Sequence, residues 1–421
     1  MTLKDRTCLS MFKSLVIRRR KPAQTLLQGL LPEMVEVVAL FLEPADMCAL
    51  RMTCRSLYNK TYIVFWRTSL RNIQTDLSHA SPKKLEVLSN DPQLRRYVHH
   101  LTFKGFDEDS YILGEGLEWN RHPSGHLINL QDQPAVKLLR PILCRLVNCK
   151  SFECWSYSTP DHPDLEPIAR TTDAVQVFLD IVSETRLPVA SFSVNFRPYG
   201  STGNNYLDPR RLHPGYFTKA GFVDVWAQLE KLILDFNSDF EIILNWATDL
   251  IRLAPNVKKL DMRLDEPDNA FILIQRLATD SFVWPRLQEL RLDYISSKIA
   301  CLTAVLHKCQ QTLRVLCIGD LIIDASVADL RLLFQILSRQ FPYLGKVNFG
   351  AWWSRGTGMP SALVVHYPGF LDNLNMDETE KARVRVVYRG MKGRRRARVV
   401  AYSGPQVRVV LDTLAISVEL A

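Results

Sequence analysis

The nine cysteines are the residues of this sequence best suited to nucleophilic or metal chemistry. No C-x-x-C pair occurs among them, and their number is odd. Cys144, Cys149 and Cys154 recur at five-residue intervals, which suit neither one helical face nor a zinc knuckle. We therefore predict that they are buried core thiols, in a reducing compartment that keeps them free.

The histidines offer one pair at a spacing that metal sites use, His122 and His126. Pro123 and Gly125 lie between them and prevent the two rings from sharing a helical face, so we predict no metal site and no cofactor. The motifs of serine hydrolases, P-loop and dinucleotide-binding proteins and HExxH metalloproteases are absent from the sequence. These absences predict that the chain is not an enzyme.

Positive charge is concentrated in two short segments of a chain whose net charge is +9. Residues 1–21 sum to +6, and residues 381–398 carry nine basic groups and no acidic one, so the remainder sums to −6. The run at 18–21 fits either a nuclear-import signal or a solvated tail. The C-terminal run fits a nucleic-acid contact, an import signal or a solvated hairpin tip, and we favour the hairpin tip. Because the body of the chain is not basic, nucleic acid is not expected as a partner.

The composition is that of a folded soluble protein, with 47% hydrophobic and 23% charged residues. The length of 421 residues exceeds what one hydrophobic core usually supports, which predicts two or more structural units. No apolar run approaches the length of a membrane span, and the N-terminus lacks the apolar core of a signal peptide. We expect no membrane association and a cytoplasmic location, a nuclear location, or both.

Residues 30–66 carry the clearest local pattern of the chain. Pro32 suits the first position of a helix, and Glu43-Pro44 ends that helix. A second helix is predicted from Ala45 to Thr53, and a third short one begins at Cys54. Apolar residues recur in the first helix at the 3.6-residue period, and they are Met34, Val37, Val38, Phe41 and Leu42. Three small helices bury too little apolar surface to be stable alone, so we expect this module to dock on something.

The order of residues in this window resembles the F-box. The resemblance rests on Leu31-Pro32-Glu33, Val38, Phe41-Leu42, Pro44-x-Asp46-Met47, Leu50-Arg51-x-x-Cys54-Arg55 and Tyr58. It implies that the chain binds the Skp adaptor and, through it, a cullin–RING ubiquitin ligase. The side chains expected to contact the adaptor are Leu31, Pro32, Val35, Leu42, Met47, Leu50 and Leu57. The alternative is an ordinary helical hairpin of a larger domain.

From residue 94 onward, helical patterns alternate with the phrase L-x-x-L-x-L. Five copies begin at Leu229, Val257, Leu287, Leu313 and Leu344, and their fourth positions are 28, 30, 26 and 31 residues apart. Alternation within each phrase predicts a short strand with one buried face. Weaker copies at 98–103, 146–154 and 189–194 predict three earlier strands. The period is close to that of leucine-rich repeats.

These patterns predict an α/β fold in which a small three-helix F-box is followed by a leucine-rich-repeat solenoid, or horseshoe, with an irregular C-terminal cap. The order resembles a class of fungal F-box proteins whose repeats recruit the substrate. The predicted boundaries are a basic tail at 1–23, the F-box at 24–70, a helical connector at 71–93, the solenoid at 94–360 and a β/α cap at 361–421.

Because the leucines of each phrase point inward, alternate residues are expected to line a surface that binds a protein substrate. The expected contacts on the strands are Lys231, Asp235, Lys259, Arg263, Glu289 and Arg291, and their mixed charge favours a polar partner. Loops at 105–126, 157–163, 197–216 and 351–360 leave strand ends of one polarity and should gather on one rim. Their aromatic residues make good anchors, and they include Trp119, Tyr206, Trp352 and Trp353.

Two functions are compatible with these patterns. The first is that of a substrate-recognition subunit of an SCF-type cullin–RING E3 ubiquitin ligase, with the F-box on the Skp adaptor and the repeats on an unknown protein substrate. The alternative is a non-catalytic leucine-rich-repeat scaffold protein that acts independently of ubiquitin ligases. Co-purification with the Skp adaptor and cullin distinguishes the two.

Overall fold

The computed structural model describes residues 26–78, 80–104, 119–123, 125–157, 171–197, 207–236, 240–264, 267–354, 363–389 and 396–420. Its N-terminal part is a helical module of five short helices: α1 (Leu26–Gly29), α2 (Pro32–Ala39), α3 (Pro44–Thr53), α4 (Arg55–Lys60) and α5 (Tyr62–Ser69). Pro32 and Pro44 occupy first helical positions, where a missing N–H breaks no hydrogen bond. Helix α5 was not predicted.

Strands and helices alternate through the rest of the chain. The strands are β1 (Asn72–Thr75), β2 (His100–Lys104), β3 (Ser151–Tyr157), β4 (Ser191–Arg197), β5 (Lys231–Asp235), β6 (Lys259–Arg263), β7 (Glu289–Asp293), β8 (Ile295–Lys298), β9 (Val315–Ile318), β10 (Leu321–Asp324), β11 (Lys346–Phe349), β12 (Trp352–Ser354), β13 (Leu363–His366), β14 (Val384–Arg389), β15 (Arg396–Ser403) and β16 (Glu419–Leu420). The helices are α6 (Ser81–Asn90), α7 (Pro134–Arg145), α8 (Thr171–Thr185), α9 (Ala220–Trp226), α10 (Glu241–Arg252), α11 (Pro267–Thr279), α12 (Ile299–His307), α13 (Val327–Gln340), α14 (Glu378–Lys381) and α15 (Val407–Ser417).

The larger sheet has eleven strands in the order β1-β2-β3-β4-β5-β6-β7-β9-β11-β15-β14. The strands from β1 to β11 are parallel, and the register is unbroken from β4 to β7, so that Leu232, Leu260 and Leu290 are direct neighbours. Each of the five L-x-x-L-x-L phrases forms a strand with alternating burial, as predicted. Strand β1 lies in the segment predicted as a helical connector.

The predicted leucine-rich-repeat solenoid with an irregular cap is wrong, although the α/β class is right. The C-terminal hairpin does not cover the end of the sheet, because β15 pairs antiparallel with β11 and β14 pairs antiparallel with β15. The hairpin therefore extends the same sheet by two strands. In addition, the segments that follow β7, β9 and β11 pair with one another and form part of a second sheet.

The second sheet has the strand order β16-β13-β12-β10-β8. Only one or two residues connect β8, β10 and β12 to the preceding strands of the larger sheet, so the two sheets join at a sharp corner. Gly319 and Gly350 make this corner possible. A Cβ on Gly319 would lie 2.0 Å from Asp293 Oδ1, and a Cβ on Gly350 would lie 2.7 Å from the backbone of Gly319.

One hydrophobic core runs between the larger sheet and its helices. Helix α10 buries an apolar face against it, and the indole N–H of Trp226 donates to the carbonyl of Leu250 at 2.9 Å. The indole of Trp246 donates to the hydroxyl of Tyr216 at 2.7 Å, so both of these buried N–H groups are satisfied.

A buried ion pair fastens the segment around residue 121 to helix α8. Asp173 is fully buried and accepts two hydrogen bonds from Arg121, at 3.0 and 2.8 Å, and one from Arg211 at 2.8 Å. A buried carboxylate is tolerated when its charge is paired in this way. The hydrogen bonds hold residues 119–133 and 207–213 against the same helix.

Candidate functional site

The helical module has a small core of its own. Ala39, Met47 and Val64 are buried together, and Leu42 and Phe65 pack against them. Arg51 is also buried, and its guanidinium carbon lies 4.1 Å from the ring centroids of both Tyr58 and Phe65. Burial lowers the pKa of Arg51. Cation–π contacts therefore join α3, α4 and α5 where the apolar core is too small to do so.

Three of the predicted adaptor contacts belong to the interior, and for them the prediction was wrong. Val35, Met47 and Leu57 are buried, because they lie on the inner faces of α2, α3 and α4 and fill the core of the module. Leu31 and Pro32 are exposed, while Leu42 and Leu50 are half-buried, and their contact with an adaptor stays a prediction.

The face of α2 that points to solvent is apolar. Its residues recur at steps of three and four, so they lie side by side, and we name this set the apolar stripe: Leu31, Met34, Val37, Val38 and Phe41. Phe41 is 84% exposed and Leu31 is 69% exposed. A helix of a soluble protein normally turns such a face toward the core. Clustered exposure of this kind marks a contact surface for another molecule.

Lys60 holds in place the backbone just before the apolar stripe. Its ammonium group donates to the carbonyl oxygens of Gln28, at 2.8 Å, and Leu30, at 2.5 Å. These bonds join α4 to the chain that enters α2. They fix the position of Leu31 at the beginning of the stripe.

The uncovered face of the larger sheet carries polar side chains in rows. One row joins Lys231, Lys259 and Glu289, and another joins Asp235, Arg263 and Asp293. The six charged strand residues predicted as substrate contacts share this face, which we name the polar face: Lys231, Asp235, Lys259, Arg263, Glu289 and Arg291. Each is partly buried, because neighbouring side chains on adjacent strands lie close together.

Charges on the polar face are paired with one another. Glu289 accepts from Lys259 at 3.0 Å and from Arg291 at 2.6 Å. Burial acts to raise the pKa of Glu289, but the hydrogen bonds from these two cations outweigh it and lower that pKa. Burial raises the pKa of Asp261 despite the nearby Arg291 and Lys259. A ligand here would have to exchange existing ion pairs for new ones, which favours a partner with matching charges.

The prediction for Trp352 was wrong. Its side chain is 1% exposed, stacks on Phe334 with ring centroids 5.8 Å apart, and donates to the carbonyl of Ile318 at 3.4 Å. Burial alternates along β12, so Trp352 points into the core, and Trp353 points the other way and is half-buried. Only Trp353 is left as an anchor in this pair.

Tyr294 is an exposed residue at the end of β7 that the sequence did not reveal. It lies between β7 and β8 in the left-handed region, with φ 52°, and is 41% exposed. The guanidinium of Arg263 lies 4.6 Å from its ring centroid, and the negative charge of Asp320 raises its pKa. A non-glycine residue in this conformation is strained. The sequence Leu292-Asp293-Tyr294 contains no local pattern that predicts this conformation.

Most of the predicted rim loops lie outside the described residues. Tyr206 is among these, as are residues 105–118, 158–170, 198–206 and 355–362. Trp119 is described, and it is half-buried and packs against the main core. The gathering of these loops on one rim therefore stays a prediction.

The rings of three histidines lie next to one another. The rings of His122 and His126 stack with centroids 4.7 Å apart, and the ring of His213 lies 5.7 Å from that of His126. Burial and the two neighbouring histidines lower the pKa of His126. Within the described ranges, no cluster of three or more histidine, cysteine or acidic side chains could hold a metal ion.

The cysteines at 144, 149 and 154 divide between surface and interior. Cys149 and Cys154 are buried as predicted, but Cys144 is exposed on α7. Burial raises the pKa of Cys149 to about 12 and raises that of Cys154 well above its ordinary value. A nucleophilic cysteine needs the opposite shift. Neither buried thiol is suited to covalent catalysis.

No family model matches the chain, and a search of curated proteins found no match to it. Among the helices that the structure describes, none has the length and apolarity needed to cross a bilayer. Among the described residues, the apolar stripe and the polar face both have features of a binding site.

Proposed function

We propose that the chain is a substrate-recognition subunit of an SCF-type cullin–RING E3 ubiquitin ligase, and that its helical module binds the Skp adaptor. The observation that carries the proposal is the apolar stripe, which lies within the window that resembles the F-box. The predicted contact surface is revised accordingly: Leu31 and Pro32 stay, Met34, Val37, Val38 and Phe41 join them, and Val35, Met47 and Leu57 are removed.

The stripe also bears on the alternative of a scaffold that acts without a ubiquitin ligase. If the module only covered the first strands of the sheet, its most apolar helix face should be turned toward them. Helix α5 is the one that leads into β1, whereas Leu31 and Phe41, on either side of α2, stay in solvent. An exposed apolar face on a small module fits a docking role better than a covering role.

The test is co-purification of the full chain with the Skp adaptor and cullin. Met34→Ser with Phe41→Ser removes two exposed members of the stripe, and Leu31→Ala with Pro32→Ala removes its beginning. Loss of interface anchors of this kind costs about 2–4 kcal/mol of binding free energy, so adaptor should be lost from both purifications. Folding should be unchanged because these side chains are exposed.

Val87→Ser is the matched control, since Val87 is an apolar residue of α6 that is also exposed. It should leave adaptor binding unchanged. Adaptor binding by the stripe variants at the wild-type level would contradict the proposal. In that case a scaffold without a ligase partner would be the better interpretation.

We further propose that the polar face recruits the substrate, and that the chain positions this substrate near the conjugating enzyme without catalysing the transfer itself. The paired charges around Glu289 support a polar protein partner. Lys259→Gln with Arg291→Gln removes both cations without adding carboxylates beside Asp261. Compared with wild type, this variant should lose specific captured proteins while it keeps the adaptor.

Arg252→Gln is the control for that comparison, because Arg252 is an exposed cation on α10, outside the sheet. If the polar-face variant captures the same proteins as wild type and Arg252→Gln, the substrate does not bind these charges.

A further inference from the structure

The last strand of the larger sheet, β14, is an open edge. Among the described residues it pairs with β15 alone. Its six residues, VRVVYR, include neither proline nor glycine, so nothing in the sequence prevents further pairing. At the edge of an antiparallel pair, the N–H and C=O groups of every second residue point away from the sheet. Strand β14 therefore presents a row of backbone donors and acceptors about 20 Å long.

The two faces of β14 differ in what an added strand would meet. Val384 and Val386 pack against the main core. Arg385 and Val387 alternate with them on the polar face, where both are exposed. On this face an added strand would find a cation and, two residues on, an apolar side chain.

The sequence of this hairpin carries charge of one sign. Residues 381–398 contain nine lysines and arginines and no acidic residue. The nearest carboxylates upstream are already paired, Glu378 with Lys381 at 3.2 Å and Glu380 with Arg383 at 3.2 Å. Charged side chains commonly protect sheet edges from pairing with a second copy of the same chain. Charges of a single sign repel that copy but attract a strand of the opposite sign.

We propose that β14 binds an extended acidic segment of another protein by β-strand addition. Backbone hydrogen bonds along β14 would hold the segment, an Asp or Glu would face Arg385, and an apolar side chain two residues away would cover Val387. The matching segment has about six residues, the length of β14. This surface goes beyond the proposed function, because it is separate from both the apolar stripe and the six charged residues of the polar face.

The probe is a fluorescein-labelled peptide of about ten residues with the repeat Glu-Thr-Val-Thr, so that Glu and Val alternate along one face of the strand. It is titrated with the full chain and followed by fluorescence polarisation. Saturable binding is expected. Arg385→Glu should raise the Kd about tenfold through charge repulsion. Arg408→Glu is the matched control: it makes the same charge change at an exposed arginine of α15 and should leave the Kd unchanged.

Two N-methylated forms of the peptide test the backbone pairing. Each form is blocked at every second amide, one form on each edge of the peptide strand. A strand added to β14 uses one of its edges, so one form should lose binding while the other binds like the parent. If both forms bind like the parent, only charge attraction is at work and the proposal is overturned.

Two further outcomes would also overturn it. One is equal binding of a peptide in which Lys replaces Glu. The other is displacement of the acidic peptide by a short DNA duplex whose binding depends on Arg385. The edge would then be a nucleic-acid surface. Folding of the Arg385→Glu variant is checked by its urea midpoint, which should match that of Arg408→Glu.

Discussion

The ammonium group of Lys60 donates a hydrogen bond to the carbonyl oxygen of Leu30, 2.5 Å away, one residue before the apolar stripe begins. Lys60 is 30 residues distant in the chain and lies at the end of α4. Lys60 is not part of the stripe, but its hydrogen bond holds the residue just before Leu31 in place.

Lys60→Met is predicted to weaken adaptor binding without removing any contact residue. The variant keeps the length of the side chain but loses both hydrogen bonds, which are worth about 1.5–3 kcal/mol each when the donor is charged. The entrance to α2 should then move, and binding measured by calorimetry should fall about tenfold or more. Lys84→Met, at an exposed position of α6, should bind normally. Normal binding by Lys60→Met would show that the stripe needs no such support.

The sequence pattern predicted the position of the short helices, but it did not predict which of their apolar residues are buried. Residues 34, 38 and 41 and residues 35 and 39 are both apolar sets at helical spacing, so periodicity alone could not tell which set is inside. The structure buries Val35 and Ala39 and leaves the larger set in solvent. The unpredicted helix α5 decides this, because Val64 on α5 completes the core around Ala39 and Met47.

Iodoacetamide labelling of the native chain should distinguish the cysteines. Cys144 is exposed and should react, whereas burial raises the pKa of Cys149 and Cys309 to about 12. At about pH 8, only about one part in ten thousand of such a thiol is ionised. Mass spectrometry should find these two positions unmodified until the chain is unfolded. A ubiquitin thioester trapped on any cysteine would contradict the proposal that the chain does not catalyse the transfer itself.

Stability is predicted to depend on pH through Glu153. The hydrogen bond from His100 lowers the pKa of Glu153 below its ordinary value of 4.5. A depressed folded-state pKa stabilises the fold above the unfolded-state pKa, and this contribution is lost as the pH falls through the folded-state pKa. Glu153→Gln should therefore cost more unfolding free energy near neutral pH than at about pH 3. Asp372→Asn, an exposed position, should show no such difference in urea titrations.

An equal loss for Glu153→Gln at both pH values would mean that the hydrogen-bond geometry around His100, and not the charge of Glu153, supports strands β2 and β3. The carboxylate also accepts from Asn195 at 3.4 Å on β4, so the variant removes a contact that spans three strands.

The five strands formed by the L-x-x-L-x-L phrases were predictable because each has a buried face of regularly spaced apolar residues, such as Leu232 and Leu234. The second sheet was not. Strands β8, β10 and β12 have three or four residues, too few for alternation to stand out, and they form only because the corner places them side by side. Pairing of β15 with β11 is likewise a tertiary contact with no local pattern.

The corner between the two sheets gives a prediction about three glycines. Gly350→Ala should destabilise the fold by about 3 kcal/mol, because its Cβ would meet the backbone of Gly319, which cannot move without breaking the pairing of β9 and β11. Gly319→Ala should cost less, about 1–2 kcal/mol, since the obstacle is the side chain of Asp293. Gly345→Ala should change stability little, because nothing lies within 4 Å of its Cβ.

Urea unfolding of the three variants measures the order of these stability costs. Repeating the measurement in the Asp293→Ala variant tests whether the Asp293 side chain is the obstacle at position 319. Asp293 Oδ1 accepts from the N–H groups of Asp320, at 2.9 Å, and Tyr294, at 3.2 Å, so it must leave both when an alanine at position 319 displaces it. With Asp293→Ala already present, the cost of Gly319→Ala should shrink, while the cost of Gly350→Ala should not, because its obstacle is backbone. Equal costs for Gly319→Ala in both backgrounds would mean that the backbone, and not the Asp293 side chain, sets the limit at this corner.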